Sequence, residues 1–414
     1  MNPPRDDLRH LLLDCYRAGL GAVDGRMRVR AALDHRPFTP PVALIALGKA
    51  AAAMAHGALD AWGAGIDRGL VVSKTDHIPA SLLRDPRLHC LESSHPVPDV
   101  RSLEAGEALL AFIEQTPPDA GFLVLISGGT SSLVEALPEG ISLEDLERLN
   151  RWLLGSGLAI DQMNAIRKGV SRIKGGRLAR YFGDRPVCVL LLSDVPGNDP
   201  ATIGSGLVFA GAPQPNLGAA PKWVGRMLAA APPWPGTSTA NIRWELVGSL
   251  AEAMDAVAGS AAARGLTVVR HPEFLEGDAQ AAGERLAEIL LSGAPGVHVW
   301  GGETTVRLPA HPGRGGRCQH LALAAARRLA GRAGVALLAA GTDGGDGPTA
   351  DAGALVDGGT LERGQVGGYD ADDCLSRADA GSFLQAAGDL IQSGPTGTNV
   401  MDLMIGVRRD AGRE

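Results

Sequence analysis

The sequence predicts an α/β protein built on parallel strands covered by helices. Short runs that are apolar at every position recur at 42–47, 69–72, 122–126 and 187–192, each closed by a glycine or a serine. A strand buried on both faces has no polar side to alternate with, which is the pattern of a parallel sheet sandwiched between helices. Segments of helical character separate the runs, at 49–62, 101–114, 143–154 and 161–180, and give the chain a βαβ rhythm. With 45% hydrophobic residues in 414, the chain has ample material for buried cores, and its 56 Gly and 27 Pro punctuate the loops between elements.

In chain order, Leu8, Leu11, Leu12, Cys15 and Tyr16 follow helical spacing and predict an opening amphipathic helix. The four strand–helix alternations come next. Six prolines then crowd one stretch, Pro213, Pro215, Pro221, Pro232, Pro233 and Pro235, a density few regular elements tolerate. That places a domain boundary there, with one domain at 1–235 and a second at 236–414. Beyond it, short segments at 242–247, 266–270, 297–299, 335–340 and 400–407 alternate with helical segments at 250–263, 279–290 and 319–329, so the second half also reads as α/β. No internal repeat of fixed period is visible.

Several function classes drop out. The 39 basic and 46 acidic residues give a net charge of −7, no overall field for a phosphate backbone, and only 4% of residues are aromatic, which disfavours base-stacking platforms. Nucleic acid is therefore not an expected partner. The five cysteines form no C-x-x-C pair, which fits a reducing cytoplasm better than a disulfide framework or a structural zinc site. An Arg-Asp-Asp cluster stands near the N-terminus where a secretory signal needs apolar residues, and no apolar run reaches the length of a membrane span. The histidines lack H-E-x-x-H spacing, and neither a G-x-S-x-G elbow nor a G-x-G-x-x-G fingerprint follows a strand.

In open parallel sheets ligands bind where strands end and helices begin, so the strand-ending loops carry the functional reading. ALGKAA, 46–51, places Lys49 after a buried strand beside a glycine: a fixed base and a mobile ammonium for phosphate or carboxylate, or else a solvated lysine in a first helical turn. LISGGTSSL, 125–133, offers Gly128, Gly129, Thr130, Ser131 and Ser132 as an anion cradle of backbone amides and hydroxyls, or else a serine-capped turn. LLLSDVPGNDPATIGSG, 190–206, sets Asp194 directly after a strand, where a carboxylate anchors magnesium in phosphoryl-transfer sites. In the second half, Arg314 and Arg317 lie in a glycine loop, and Asp343 and Asp346 in another glycine loop after a buried strand. Guanidinium forks suit phosphate and carboxylate oxygens.

Taken in order, ALGKAA, SSHPVPD, LISGGTSSL, NAIRKGVSRIKGGRLA, LSDVPGNDPATIGSG, GGETTV, GRGGRCQ, GTDGGDGPTAD and GPTGTNVMDL resemble the glycerate 2-kinase family, whose C-terminal region is called MOFRL. The resemblance spans nearly the whole chain. It implies ATP-dependent phosphorylation of D-glycerate at its 2-hydroxyl with a divalent cation, Mg²⁺. It also implies a Rossmann-like N-terminal domain, a smaller C-terminal α/β domain containing the MOFRL region at about 295–410, and an active site in the cleft between them. The family's essential lysine matches Lys49 and its glycine-loop arginine matches Arg317, giving two catalytic cations. Gly128 to Ser132 would bind phosphate, Arg314 and Asp343 substrate, and Asp194 the metal, with Asp343 or Asp194 as the base. Some members carry the label hydroxypyruvate reductase, so an NAD(P)H-dependent reductase and a metabolite-binding relative are the alternatives. The chain departs from the family pattern at Gly169, Asn198, Leu207, Cys318 and His320. Oligomeric state is not legible in the sequence.

Overall fold

The computed structural model describes residues 3–34, 36, 41–156, 158, 160–211, 220–233 and 241–409. The chain forms two compact units, one of Gly25–Val247 and one of Met1–Asp24 with Gly248–Glu414.

The first unit holds six strands, β1 (Val42–Leu47), β2 (Ile66–Lys74), β3 (Leu88–Ser93), β4 (Gly121–Ile126), β5 (Val187–Leu192) and β6 (Ile242–Gly248), in the order β3-β2-β1-β4-β5-β6. The pairs β2–β3, β1–β2, β1–β4 and β4–β5 are parallel. This strand order is that of doubly wound nucleotide-binding sheets. Every residue of β1, β4 and β5 is buried, as their unbroken apolar runs require. Ile45, Leu109, Phe122, Leu178, Val189 and Ile203 belong to the core over one face. A satellite core joins the helices Leu143–Gly155, Ile160–Gly169 and Lys222–Ala230 through Leu149, Ile166, Val170 and Val224.

In the second unit the strands β7 (Val268–Leu275), β8 (Gly296–Gly302), β9 (Val335–Gly341), β10 (Gly353–Asp357), β11 (Leu390–Ile391) and β12 (Asp402–Arg408) take the order β11-β10-β9-β12-β8-β7. Only β7–β8 is a parallel pair here; β12 runs antiparallel to both of its neighbours. The helix Arg317–Leu329 is almost entirely buried, because its apolar positions Leu321, Ala322, Leu323, Ala325 and Leu329 surround it rather than form one stripe.

Three sequence expectations need correction. The division at 235/236 is displaced, because β6 neighbours β5, with the Val187 amide donating to the Asn241 carbonyl at 3.1 Å, so the first sheet closes only at residue 247. Of the proline-rich stretch, 213, 215 and 235 lie outside the described residues, and between them runs the helix Lys222–Ala230. The opening helix, Pro3–Ala22, belongs to the second unit: Leu12, Cys15 and Tyr16 are buried there, and the Tyr16 hydroxyl donates to the Gly341 carbonyl at 2.6 Å. The helix expected over 161–180 ends at Gly169; the chain then turns, and Lys174 and Arg177 are buried beyond it. Among the described residues no helix is long and apolar enough to cross a membrane, and all five cysteines are unpaired.

Candidate active site

β1 and β4 are neighbours, yet β1 leads through the helix Ala51–Trp62 to β2 on one side, while β4 pairs with β5 on the other. The winding of the sheet reverses between them. At such a reversal the loops diverge and leave a crevice beyond the strand ends. Those loops are 48–50 and 127–129, two of the three that the sequence singled out in this unit. They are bonded to each other: the Lys49 amide donates to the Gly128 carbonyl at 2.9 Å, and the Ala50 amide donates to Ser127 Oγ at 3.0 Å. Gly48 is required at φ +117°, where a Cβ would stand 2.3 Å from Ser127 Oγ. Thr130 Oγ1 turns back to the Ser127 carbonyl at 2.7 Å.

Gly129, at φ +82°, brings two side chains together: a Cβ there would lie 3.1 Å from Lys49 Cγ, 3.1 Å from His95 Cδ2 and 3.3 Å from His95 Nε2. His95 comes from the loop after β3, two strands away from β1, and sequence reasoning assigned it no role. Its sequence signal was its place in SSHPVPD, one of the motifs that carry the family resemblance.

A buried network supports the turn from behind. Lys174 Nζ donates to the Ser131 carbonyl at 2.7 Å and to Glu135 Oε2 at 2.5 Å, Ser171 Oγ donates to Glu135 Oε1 at 2.6 Å, and Ser205 Oγ donates to Ser131 Oγ at 2.7 Å. The other two inward cations also serve structure. Lys168 Nζ donates to the Ala201 carbonyl, and Arg177 donates to the carbonyls of Lys168 and Pro232. Burial, with Arg180 nearby, lowers Arg177 to about 10. Asp194 follows β5 half-buried, on the same side of the sheet as the β4 loop, whereas Asp199 caps the next turn through Ala201 and Thr202.

In the second unit the candidates gather beyond the ends of β8 and β9 and the start of β12. Arg317 opens its helix and forks onto Asp402, with Nε to Oδ2 at 2.6 Å and Nη2 to Oδ1 at 2.9 Å, while Nη1 meets Glu303 at 2.7 Å. Burial disfavours the guanidinium charge, but these two carboxylates outweigh it and raise the Arg317 pKa. Asp346 accepts from the Cys318 amide at 3.0 Å and the Gln319 amide at 2.8 Å, capping the same helix. Burial pushes its carboxyl up to about 7, against those two amides. Asp343 accepts from the Gly345 amide at 3.1 Å. Thr342 ties this loop to the segment before β12, donating to the Met401 carbonyl at 2.7 Å and accepting from the Val400 amide at 2.8 Å. Arg314 turns instead to Asp351, at 2.6 Å, and to Gln385.

Cys318 and His320 are buried in the helix, and desolvation raises the Cys318 thiol and lowers the His320 imidazole. Sequence reasoning gave no role to Glu303 and Asp402, because 85 residues separate Asp402 from Arg317. Among the described residues no three His, Cys, Asp or Glu groups are placed together to hold a metal. A cleft of about 700 Å³ at the opposite end of β9, lined by Arg9, Arg332, Asp357 and Arg363, holds none of the candidate residues.

Comparison with known proteins places the chain in a family. A domain of unknown function, DUF4147, matches residues 11–216, and the MOFRL family matches 296–402. A D-glycerate 2-kinase of Thermotoga maritima is 35% identical over 97% of this chain and 99% of its own length. A protein of Agrobacterium vitis with the provisional name hydroxypyruvate reductase is 38% identical over 87% of this chain and 97% of its own length. The crystal structure of a glycerate kinase from Thermotoga maritima superposes with a TM-score of 0.83 at 33% identity, covering 97% of this chain and 100% of that one. The chain belongs to the glycerate 2-kinase family, with its MOFRL region in the second unit.

Proposed function

We propose that this chain is an ATP-dependent D-glycerate 2-kinase, giving 2-phosphoglycerate and ADP. The observation that carries the reading is the pair of interlocked loops at the β1/β4 reversal, which brings Lys49 beside a glycine-rich turn. Similarity to a D-glycerate 2-kinase over nearly the full chain supports the same substrate.

In the reaction, the 2-hydroxyl oxygen of D-glycerate bonds to the γ-phosphorus as the bond to the β–γ bridging oxygen breaks. The electron pair leaves with ADP, and the hydroxyl proton passes to a base, Asp343 or Asp194. Such transfers need positioning and charge neutralisation more than covalent help. The turn of Gly128, Gly129, Thr130, Ser131 and Ser132 receives phosphate through its backbone amides, and Lys49 neutralises charge on the transferring group. Arg317, aligned by Asp402, offers the carboxylate of glycerate the edge that Glu303 covers. Arg314 acts with it through its charge. A carboxylate at a strand end suits Mg²⁺, which takes one or two protein oxygens and completes its shell with phosphate and water, so Asp194 fits as its anchor. Bound there, the ion would offset charge on the nucleotide phosphates. Unpaired cysteines fit a cytoplasmic enzyme.

A reductase reading draws on the provisional name of the Agrobacterium vitis relative and on the strand order, which nucleotide-binding dehydrogenases share. Against it, the loop after β1 reads G-K-A-A and lacks the glycine fingerprint. Two assays decide. Purified protein is given D-glycerate, ATP and Mg²⁺ with coupled detection of ADP, and separately hydroxypyruvate with NADH. ADP formation that depends on glycerate is expected; NADH oxidation without ADP formation would overturn the kinase reading.

A further inference from the structure

We propose that His95 is a third ligand-contacting side chain of the first unit's site, hydrogen-bonding through Nε2 to the phosphate of a nucleotide held by Lys49 and the Gly128–Ser132 turn. The assignment rests on the kinase reading for its ligand, and on geometry for its place.

The loop that carries His95 is tied down at both ends. On one side Ser93, buried at the end of β3, donates from Oγ to the Leu133 carbonyl at 2.7 Å, tying β3 to the end of the short helix after the glycine turn. On the other side Asp99 and Ser102 close a capping box on the helix Val100–Glu114. Within the loop Ser94 Oγ donates to the Val97 carbonyl at 2.8 Å. From this loop, at the edge of the sheet, the imidazole lies at the β1/β4 reversal beside Gly129.

There it presents one particular edge. Nε2 and Cδ2 are the His95 atoms nearest to the place a Gly129 side chain would take, at 3.3 and 3.1 Å, and Lys49 Cγ flanks the same point at 3.1 Å. Gly129 thus leaves a notch bordered by an ammonium-bearing chain and an imidazole nitrogen, above a turn with two adjacent glycines. An imidazole N–H donates to a phosphate oxygen in either charge state once the tautomer is set. A neutral pocket wall would have been built as well by an aliphatic side chain, which lacks that donor.

The test uses the conservative pair of substitutions, since a glutamine amide reaches the place of Nε2 and an asparagine amide only that of Nδ1. Binding of ADP is measured by calorimetry for wild type, His95→Ala, His95→Asn and His95→Gln, with melting temperatures for each. Loss of one hydrogen bond to a charged group predicts about 10-fold weaker ADP binding in the alanine and asparagine variants, with glutamine within about 3-fold of wild type. Wild-type affinity in His95→Ala overturns the proposal, as does an equal loss in the glutamine and asparagine variants, or a wild type that does not bind ADP. Because binding is read without turnover, a protein that binds ADP in this order yet phosphorylates no glycerate sinks the kinase reading and leaves His95 in place.

Discussion

The two clusters of candidate residues are held together by opposite means. Around Lys49 the loops are fixed to each other by backbone amides, carbonyls and hydroxyls. Around Arg317 the charged side chains are themselves the struts: Arg317 on Asp402 and Glu303, Arg314 on Asp351, Asp346 on a helix end. Function and scaffold are separable in the first cluster and fused in the second. Substitutions at Lys49 should therefore cost activity alone, and substitutions around Arg317 should cost both.

The sharpest test of that contrast is Lys49→Ala. Removing one preorganised charge-stabilising donor costs roughly 10²- to 10³-fold in turnover, and kcat for glycerate phosphorylation should fall on the order of 10³-fold with an unchanged melting temperature. A melting temperature that falls as steeply as the rate would show that the lysine is a strut after all.

Next in size is the ion pair behind the turn. Lys174 and Glu135 are 4% and 2% exposed, and deleting one member of a buried pair strands the other. Lys174→Met should destabilise the protein by about 3 kcal/mol in urea titration, and Glu135→Leu added to it should restore part of the loss. If the double variant is no more stable than the single one, the pair is not the strut proposed for the Ser131 carbonyl.

The second cluster should announce its charged struts through pH. The Asp346 carboxyl is raised from the usual 3.8 to about 7 on folding, so the folded state holds its proton more tightly than the unfolded chain. Stability from this group is then present in acid and is lost as pH rises from about 4 to about 7, by at most about 1.4 kcal/mol per unit. Asp346→Asn should flatten that decline, seen as a smaller drop in urea midpoint between pH 5 and 7 than in wild type. Parallel declines in the two proteins would place the titrating group elsewhere.

The sequence revealed the buried parallel strands because burial on both faces leaves an unmistakable apolar run, and it revealed Lys49 and Gly128 to Ser132 because each follows such a run. It could not reveal that these loops meet, since β1 and β4 become neighbours only through the sheet order. Non-local pairing hid His95, Asp402 and Glu303 in the same way. The segment 161–180 was hard to read for a different reason: its helical spacing continues past Gly169, where the chain turns and Lys174 meets Glu135. The opening helix was legible as amphipathic, but nothing in its apolar stripe said which sheet it would cover.

The smallest effect expected is at Ser205, and it probes how finely the first cluster is adjusted. Ser205 adopts φ +62° and donates to Ser131 Oγ at 2.7 Å, while the Gly175 amide donates to its carbonyl at 3.1 Å. The backbone contact is indifferent to the side chain, so Ser205→Ala removes only the hydroxyl bond. One such bond contributes about 1 kcal/mol, which corresponds to roughly 5-fold in an equilibrium. If the hydroxyl orients Ser131 toward bound phosphate, the change should appear in KM for ATP, with kcat and KM for D-glycerate near wild type. If it appears instead in the urea midpoint alone, the Ser131 hydroxyl belongs to the scaffold, and the separation of function from framework in this cluster ends at Thr130.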